Sequence, residues 1–285
     1  MAKETPKDPL ITYAENTWCP GCGNFGLLTA FKNAVKKLEE RGTKKERLVI
    51  TAGIGCHGKI HDYLNISGFY SLHGRSMATA QGMKLANPEL KVVAFCGDGD
   101  AFGEGLEHML FASKRNADIT VIVHDNGVYG LTTGQITPTS EKGFRGPSTP
   151  FGSIEDPLNP LVLMLEAGAT FVARGYPGKQ GQLTDIFVEA IEHEGFSFVD
   201  VLQSCVSYNN TYQRYNEVTE PLNAPAKDLD GALAISRRTD RLPIGVIYKY
   251  NRPVFHRELY GAKVPVRDRP TTKNRHEAIR KILKV

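Results

Sequence analysis

The chain has 285 residues, enough for one large α/β domain or two small ones, and enough to bury a core without covalent staples. Hydrophobic content of 41% and charged content of 23% sit near the averages for soluble globular domains, which argues against disorder and against a membrane protein. The formal charge of +4 is thinly spread, and the positive ends (Lys3, Lys7 and the stretch from Arg267 to Lys284) read as solvated tails rather than as a nucleic-acid-binding surface, although a basic face would also steer an acidic electron carrier.

The first residues lack the apolar run of a signal peptide, and no segment approaches the ~18 uninterrupted apolar residues of a membrane span, so a cytoplasmic protein is expected. Five cysteines, an odd number, argue there against a disulfide framework and for metal ligands, nucleophiles or buried small hydrophobes. The first feature in chain order is Trp-Cys-Pro-Gly-Cys-Gly at 18–23. Its Cys19 and Cys22, two residues apart before a helix, suit a shared metal and equally fit zinc or a dithiol redox motif. Apolar residues at three- and four-residue spacings predict a helix over Phe25 to Glu40, and a β-branched run predicts a strand over Arg47 to Ile54.

Gly53, Gly55 and Gly58 follow that strand as G-x-G-x-x-G, but no acidic residue about twenty positions later would hold a ribose, which disfavours a nicotinamide or flavin site. The same stretch fits the front of a phosphate-binding NTPase loop until Ile60, which stands where a hydroxyl must meet Mg²⁺. A second such pattern at Gly21, Gly23 and Gly26 follows no strand and carries little weight.

Helix and strand then alternate. Helices are predicted over Arg75 to Asn87, Gly105 to Asn116, Pro157 to Ala167 and Lys179 to Glu194, and strands over Lys91 to Cys96, Ile119 to His124, Thr170 to Ala173 and Ser197 to Leu202. This predicts an α/β fold, a parallel sheet flanked by helices, with ligands outside the carboxyl ends of the strands. The unusual residues fall there: Gly55 to Lys59, Gly97 to Asp100, Asp125 to Gln135 and Cys205. The stretch from Thr132 to Pro160 is too long for an ordinary connection and reads as a functional loop, with a disordered insertion as the alternative. After Tyr208 the pattern weakens. Residues 1–215 are expected as the principal α/β domain and 216–285 as an extension against a partner, with Asp240 to Val285 an irregular or partly helical tail.

The strongest local signal is Gly-Asp-Gly-Asp at 97–100, separated by a helix and a strand from His-Asp-Asn-Gly-Val-Tyr-Gly at 124–130. Asp98 and the side-chain oxygen of Asn126 are hard donors suited to Mg²⁺, and Gly97 and Gly99 permit close backbone approach to a diphosphate. This pattern resembles the fingerprint of thiamine-diphosphate enzymes and implies their diphosphate-binding domain. The resemblance makes the backbone carbonyl of Val128 a third Mg²⁺ ligand; Asp125 stands where many members have Asn, leaving the ligating position intact. Cys56 and Cys205 each follow a predicted strand on the same edge, so four thiolates could converge beside the cofactor, as an iron–sulfur centre or as redox-silent zinc. Cys96 ends a buried strand and reads as core.

From about Thr12 to about Tyr215 the chain is similar to the β subunits of 2-oxoacid:ferredoxin oxidoreductases. The matches include 54–56, 71–75, 126–132 and 134–135. That resemblance implies a [4Fe–4S] cluster on Cys19, Cys22, Cys56 and Cys205. It also implies thiamine contacts from Ile54, Gly55, Cys56, His57, His73, Gly74, Arg75, Ser76, Gly99, Asp100, Gly130 and Leu131. Lys59 matches a lysine near the substrate, and His73 is the second catalytic candidate; structural or surface histidines at His57 and His73, and a solvated lysine at 59, are the alternatives. The implied activity is coenzyme A-dependent oxidative decarboxylation of a 2-oxoacid, with electrons passed to ferredoxin and a required α subunit carrying the glutamate that activates the thiamine. Relatives favouring 2-oxoglutarate often carry Lys where this chain has Thr133, which leaves the substrate open among 2-oxoglutarate, pyruvate and a broad range. A non-redox thiamine-dependent decarboxylase or synthase subunit would not need the cysteines, and a structural zinc-binding subunit would not need the Gly-Asp-Gly unit.

Overall fold

The computed structural model describes residues 8–268 and 272–284, so Lys3 and Lys7 of the expected basic tail lie outside the described residues. Its strands are β1 (Leu48–Ala52), β2 (Gly68–Tyr70), β3 (Lys91–Gly97), β4 (Ile119–Asp125), β5 (Phe171–Gly175), β6 (Phe196–Leu202), β7 (Thr219–Pro221) and β8 (Leu242–Lys249). The helices are α1 (Gly23–Glu40), α2 (Ile60–Tyr63), α3 (Ser76–Ala86), α4 (Leu106–Lys114), α5 (Pro160–Glu166), α6 (Gln180–Glu192), α7 (Tyr212–Val218), α8 (Leu229–Ser236), α9 (Phe255–Tyr260), α10 (Pro265–Asp268) and α11 (Thr272–Leu283). None of them is long and apolar enough to cross a membrane.

The strands form one sheet in the order β2-β1-β3-β4-β6-β5-β8-β7. The first six are mutually parallel, β8 runs antiparallel to β5, and β7 is parallel to β8. Alternation along each strand sends side chains to opposite faces. Phe95, Ile122, Val199 and Val201 pack under α1 and α6, whereas Val92, Ala94, Cys96, Val121 and Phe198 pack under α3, α4, α5 and α8. Phe31 of α1 sits edge-to-face on Phe95 (4.9 Å between ring centroids) and on Phe187 of α6 (6.1 Å), tying helix to sheet and helix to helix. Each such aromatic pair adds about 0.5–1.5 kcal/mol beyond area burial.

Local chemistry sets the helix ends. At the end of α1, Gly42 takes a φ of +96°, its N–H bonds the Glu39 carbonyl, and Thr43 N–H bonds the Leu38 carbonyl; this closes the last turn as glycine at that position favours. Helix α5 starts at Pro160, three residues later than expected, because Asn159 Oδ1 accepts from Val162 N at 3.2 Å and caps it.

Two strand groups escaped the sequence pattern. β2, Gly-Phe-Tyr, is three residues long, too short to show a strand's alternation. β7 and β8 come from the segment expected as an extension, and both join the main sheet. Pro243 and Gly245 weaken the reading of Leu242–Lys249 as a strand, yet its pairing with β5 buries Ile244 and Ile247.

Candidate functional site

From β1 the chain runs out to β2 and then returns to β3 on the other side of β1, so the crevice at the carboxyl ends of β1 and β3 is a topological switch point. A cavity of about 340 Å³ opens there. Ile54, Gly55, Cys56 and His57 wall it from β1; Gly97 to Asp100 wall it from β3; Asn126 and Val128 to Leu131 wall it from beyond β4, and His73 stands at its rim. The turn after β3, Gly99–Glu104, is π-helical, a widened form frequent at functional sites. Close approach demands its glycines: a Cβ on Gly97 would stand 2.7 Å from His57 Nδ1, and one on Gly99 2.3 Å from the Tyr129 ring.

Asp98 is buried and its Oδ2 accepts from the hydroxyls of Thr137 (2.5 Å) and Thr139 (2.7 Å); burial pushes its carboxyl pKa up. Thr139 Oγ1 also lies 2.8 Å from Asp125 Oδ1, and burial followed by repulsion from Asp200 and Asp98 raises Asp125 well above the usual carboxylate range. Asn126 Oδ1 accepts from Val128 N at 3.0 Å, and its Nδ2 donates to Gln203 Oε1 at 2.8 Å. Asp98, Asn126 and Val128 thus line one cavity, and the carboxylate of Asp98 and the amide oxygen of Asn126 are donor types that suit a hard divalent cation.

Asp100 fastens three loops together. One of its oxygens accepts from Gly74 N at 2.7 Å, the other stands 3.5 Å from His57 Nε2, and a Cβ on Gly53 would meet it at 2.0 Å. His124, whose ring centroid is 5.9 Å from that of His57, has Nδ1 at 2.8 Å from Asn24 Oδ1. Burial, and then His57, hold it well below the usual histidine range, so it is neutral.

A second cavity, of about 220 Å³, adjoins the first and gathers Cys19, Cys22, Cys56 and Cys205 from three distant parts of the chain. Trp18 fastens two of those parts: its Nε1 donates to the Cys56 carbonyl at 2.6 Å, and its ring packs edge-on against Phe25 and Tyr63. Burial, then the nearby Cys205, Cys56 and Cys19, push the Cys22 thiol up to about 11, while Lys59 partly offsets the burial that raises Cys56. Gly130 leaves open space between two sulfurs: a Cβ there would lie 3.6 Å from Cys205 Sγ and 3.7 Å from Cys56 Sγ. Among the described residues no three His, Cys, Asp or Glu side chains are grouped as a single-ion site. Lys59 Nζ donates to Thr17 Oγ1 at 3.0 Å on the wall of this cavity.

Three expected cofactor contacts lie off the cavity walls. Gly74 gives its N–H to Asp100, Arg75 donates to the Glu104 carbonyl at 2.9 Å, and Ser76 Oγ lies 3.0 Å from Cys96 Sγ. Cys96 itself is buried in the core. Sequence reading passed over Thr137 and Thr139, which lie in the stretch expected as a functional loop, and over Trp18, His124 and Gln203. Positional hints were there: Trp18 precedes Cys19, His124 opens the 124–130 signature, and Gln203 lies two residues before Cys205.

Residues 53–201 match the C-terminal, thiamine-pyrophosphate-binding domain of thiamine pyrophosphate enzymes, and residues 205–263 match the C-terminal part of the pyruvate ferredoxin oxidoreductase beta subunit. The chain is 42% identical over 252 residues to a 2-oxoacid:ferredoxin oxidoreductase subunit beta of Saccharolobus solfataricus, covering 82% of each chain. It is 38% identical over 242 residues to a 2-oxoglutarate synthase subunit of Archaeoglobus fulgidus, covering 85% of each. A solved 2-oxoglutarate:ferredoxin oxidoreductase from Magnetococcus marinus, with 2-oxoglutarate, coenzyme A and succinyl-CoA bound, superposes with a TM-score of 0.88 at 34% identity, over 97% of this chain and 96% of that one.

Proposed function

Because the chain belongs to the family of 2-oxoacid:ferredoxin oxidoreductase β subunits, we propose that it holds thiamine diphosphate with Mg²⁺ in the first cavity and a [4Fe–4S] cluster in the second. As that subunit it takes part in converting a 2-oxoacid and coenzyme A to acyl-CoA and CO₂, with two electrons passed to ferredoxin. The observation that carries this reading is a shared wall: Cys56, Asn126, Gly130 and Leu131 line both cavities, so a redox centre among the cysteines would adjoin the cofactor.

Bound thiamine diphosphate supplies the electron sink that decarboxylation of a 2-oxoacid requires. This chain's residues bind and orient. Asp98, the Asn126 side chain and the Val128 carbonyl hold the cation, while Gly97 and Gly99 keep the cavity open to the diphosphate. His57, braced against Asp100, and Ile54 pack toward the cofactor from the β1 side. Lys59, half-buried beside Cys56, supplies a positive charge near the substrate carboxylate, and His73 stands at the rim. Cys19, Cys22, Cys56 and Cys205 hold the cluster, whose cationic iron is what keeps buried thiols ionised.

The partner is an α subunit that supplies the thiamine-activating glutamate and part of the substrate and coenzyme A pocket, so the isolated chain is inactive; the complex is cytoplasmic. Thr133, exposed and with a φ of +79°, offers no cation for a distal carboxylate, which favours a broad 2-oxoacid range over strict 2-oxoglutarate use. The test is anaerobic co-purification with the α subunit, iron and sulfide analysis, and ferredoxin reduction with pyruvate, 2-oxoglutarate and branched-chain 2-oxoacids. A complex free of iron and sulfide that turns over 2-oxoacids without reducing ferredoxin would overturn the proposal.

A further inference from the structure

Gln203, at the end of β6, is 1% exposed and belongs to neither set of ligands assigned above, yet it touches both. Its Oε1 accepts from Asn126 Nδ2 at 2.8 Å, and its Nε2 donates to the Ser204 carbonyl at 2.5 Å and reaches Cys22 Sγ at 3.5 Å. These contacts join chain positions 77 and 181 residues away from it.

The order of these bonds fixes which end of each amide points where. The Ser204 carbonyl can only accept, so the NH₂ end of Gln203 must face it. That turns the oxygen of Gln203 toward Asn126, which can answer only with its own NH₂. Asn126 thereby keeps Oδ1 directed away from Gln203, the sense that Val128 N–H, donating to that oxygen at 3.0 Å, also favours, so that an oxygen rather than a nitrogen is available to a hard cation. The Ser204 carbonyl is itself well anchored, since it also accepts from Gly23 N at 3.1 Å at the start of α1. Gly23 is pressed against the same turn: a Cβ on it would lie 2.9 Å from Ser204 N and 3.1 Å from Gln203 Nε2.

The same NH₂ group points at Cys22 Sγ. Hydrogen bonds to the sulfurs of an iron–sulfur centre are among the levers that set its potential, because a donor stabilises the more negative, reduced state. We propose that Gln203 is a positioning residue that couples the two halves of the site, holding the Asn126 amide oxygen available to the cation while donating to Cys22 at the redox centre. This rests on the assignment of Mg²⁺ to Asn126 and of the cluster to Cys22. It adds a physical link between them: a change in the hydrogen bonding of Asn126 on cation binding is relayed through one side chain to a cluster ligand.

The experiment uses the anaerobically purified complex with its α subunit. Two quantities are read: thiamine diphosphate affinity at fixed Mg²⁺, by calorimetric titration, and the cluster midpoint potential, by potentiometric titration followed by EPR, each with and without cofactor. Gln203→Met keeps the length of the side chain and removes both hydrogen-bonding ends. It is expected to weaken cofactor binding about tenfold, as an orphaned buried amide would. It is also expected to disfavour cluster reduction about tenfold, which is about 59 mV downward for a one-electron couple, and to abolish any cofactor-dependent shift in potential that the parent shows.

Gln203→Leu, uncharged and likewise unable to hydrogen-bond at either end, should lower the potential and the cofactor affinity in the same way. It also supplies the measurement if the methionine variant fails to assemble. A residue that merely packs would leave the potential of every assembled variant at the parental value, and that result would overturn the coupling. A parent complex with no cluster signal, or with Mg²⁺-independent cofactor binding, would instead overturn the site assignment beneath it.

Discussion

Replacing Gly130 with alanine tests the proposed cluster site separately from folding. Gly130 does not adopt a positive φ, and the added methyl would sit 3.6 Å from Cys205 Sγ and 3.7 Å from Cys56 Sγ, ordinary van der Waals separations. Nothing in the cofactor-free chain must move, and the unfolded chain loses conformational freedom. Gly130→Ala should therefore be neutral or stabilising by up to about 1 kcal/mol, a rise in melting temperature of at most about 4 °C. The same methyl stands in the space between two of the four sulfurs. In the reconstituted complex, iron and sulfide per mole should fall several-fold while the thermal melt of the chain holds or rises. Gly82→Ala, on α3, is the control: its Cβ meets nothing within 4 Å, so it should keep the full iron content. If Gly130→Ala binds iron at the parental level, no cluster lies between Cys56 and Cys205.

Three further outcomes are expected. Asp98→Asn keeps the shape of a buried carboxyl whose pKa burial already pushes up, so the fold should survive; Mg²⁺-dependent thiamine diphosphate affinity, read by calorimetry on the complex, should fall on the order of a hundredfold, and an unchanged affinity would remove Asp98 from the cation site. Cys96→Ala should cost stability through the core packing it loses but leave iron content at the parental level, whereas Cys22→Ser should lower iron, as elemental analysis of both variants would show. Burial, and then Lys249, lower the His193 pKa from 6.5 to about 4, and its Nε2 bonds Thr170 Oγ1 at 2.9 Å. The folded state keeps this imidazole neutral while the unfolded chain protonates near 6.5, so its contribution is present above 6.5 and lost as pH falls toward 4; His193→Gln should flatten urea midpoints across that window.

Much of the site was legible because covalent spacing alone arranges it. Gly97 to Gly99 and Asn126 end adjacent parallel strands, and an apolar β-branched run followed by glycine and a polar residue predicts a strand end at a ligand-binding edge. The same logic placed Cys56 and Cys205 on that edge. Less legible were contacts that depend on which loop folds over which. Thr137 and Thr139 reach Asp98 across 39 and 41 residues of chain, from a stretch whose composition says only that it is irregular. Arg75 and Ser76 lie two and three residues after His73, yet Arg75 bonds the carbonyl of Glu104 from behind the cavity wall, and Ser76 turns to the buried Cys96.

The amino-acid sequence by itself determined the parallel α/β sheet, the edge at which its polar residues collect, and the pairing of a cation-binding signature with four cysteines. These follow from the side-chain periods of strand and helix and from the fixed reach of short turns. Only the tertiary structure decided that β7 and β8 complete the sheet, that the two cavities share a wall, and that Gln203 stands between Asn126 and Cys22. Pairing across the sheet edge and the direction of a buried amide are set by partners far away in the chain, and no local spacing encodes them.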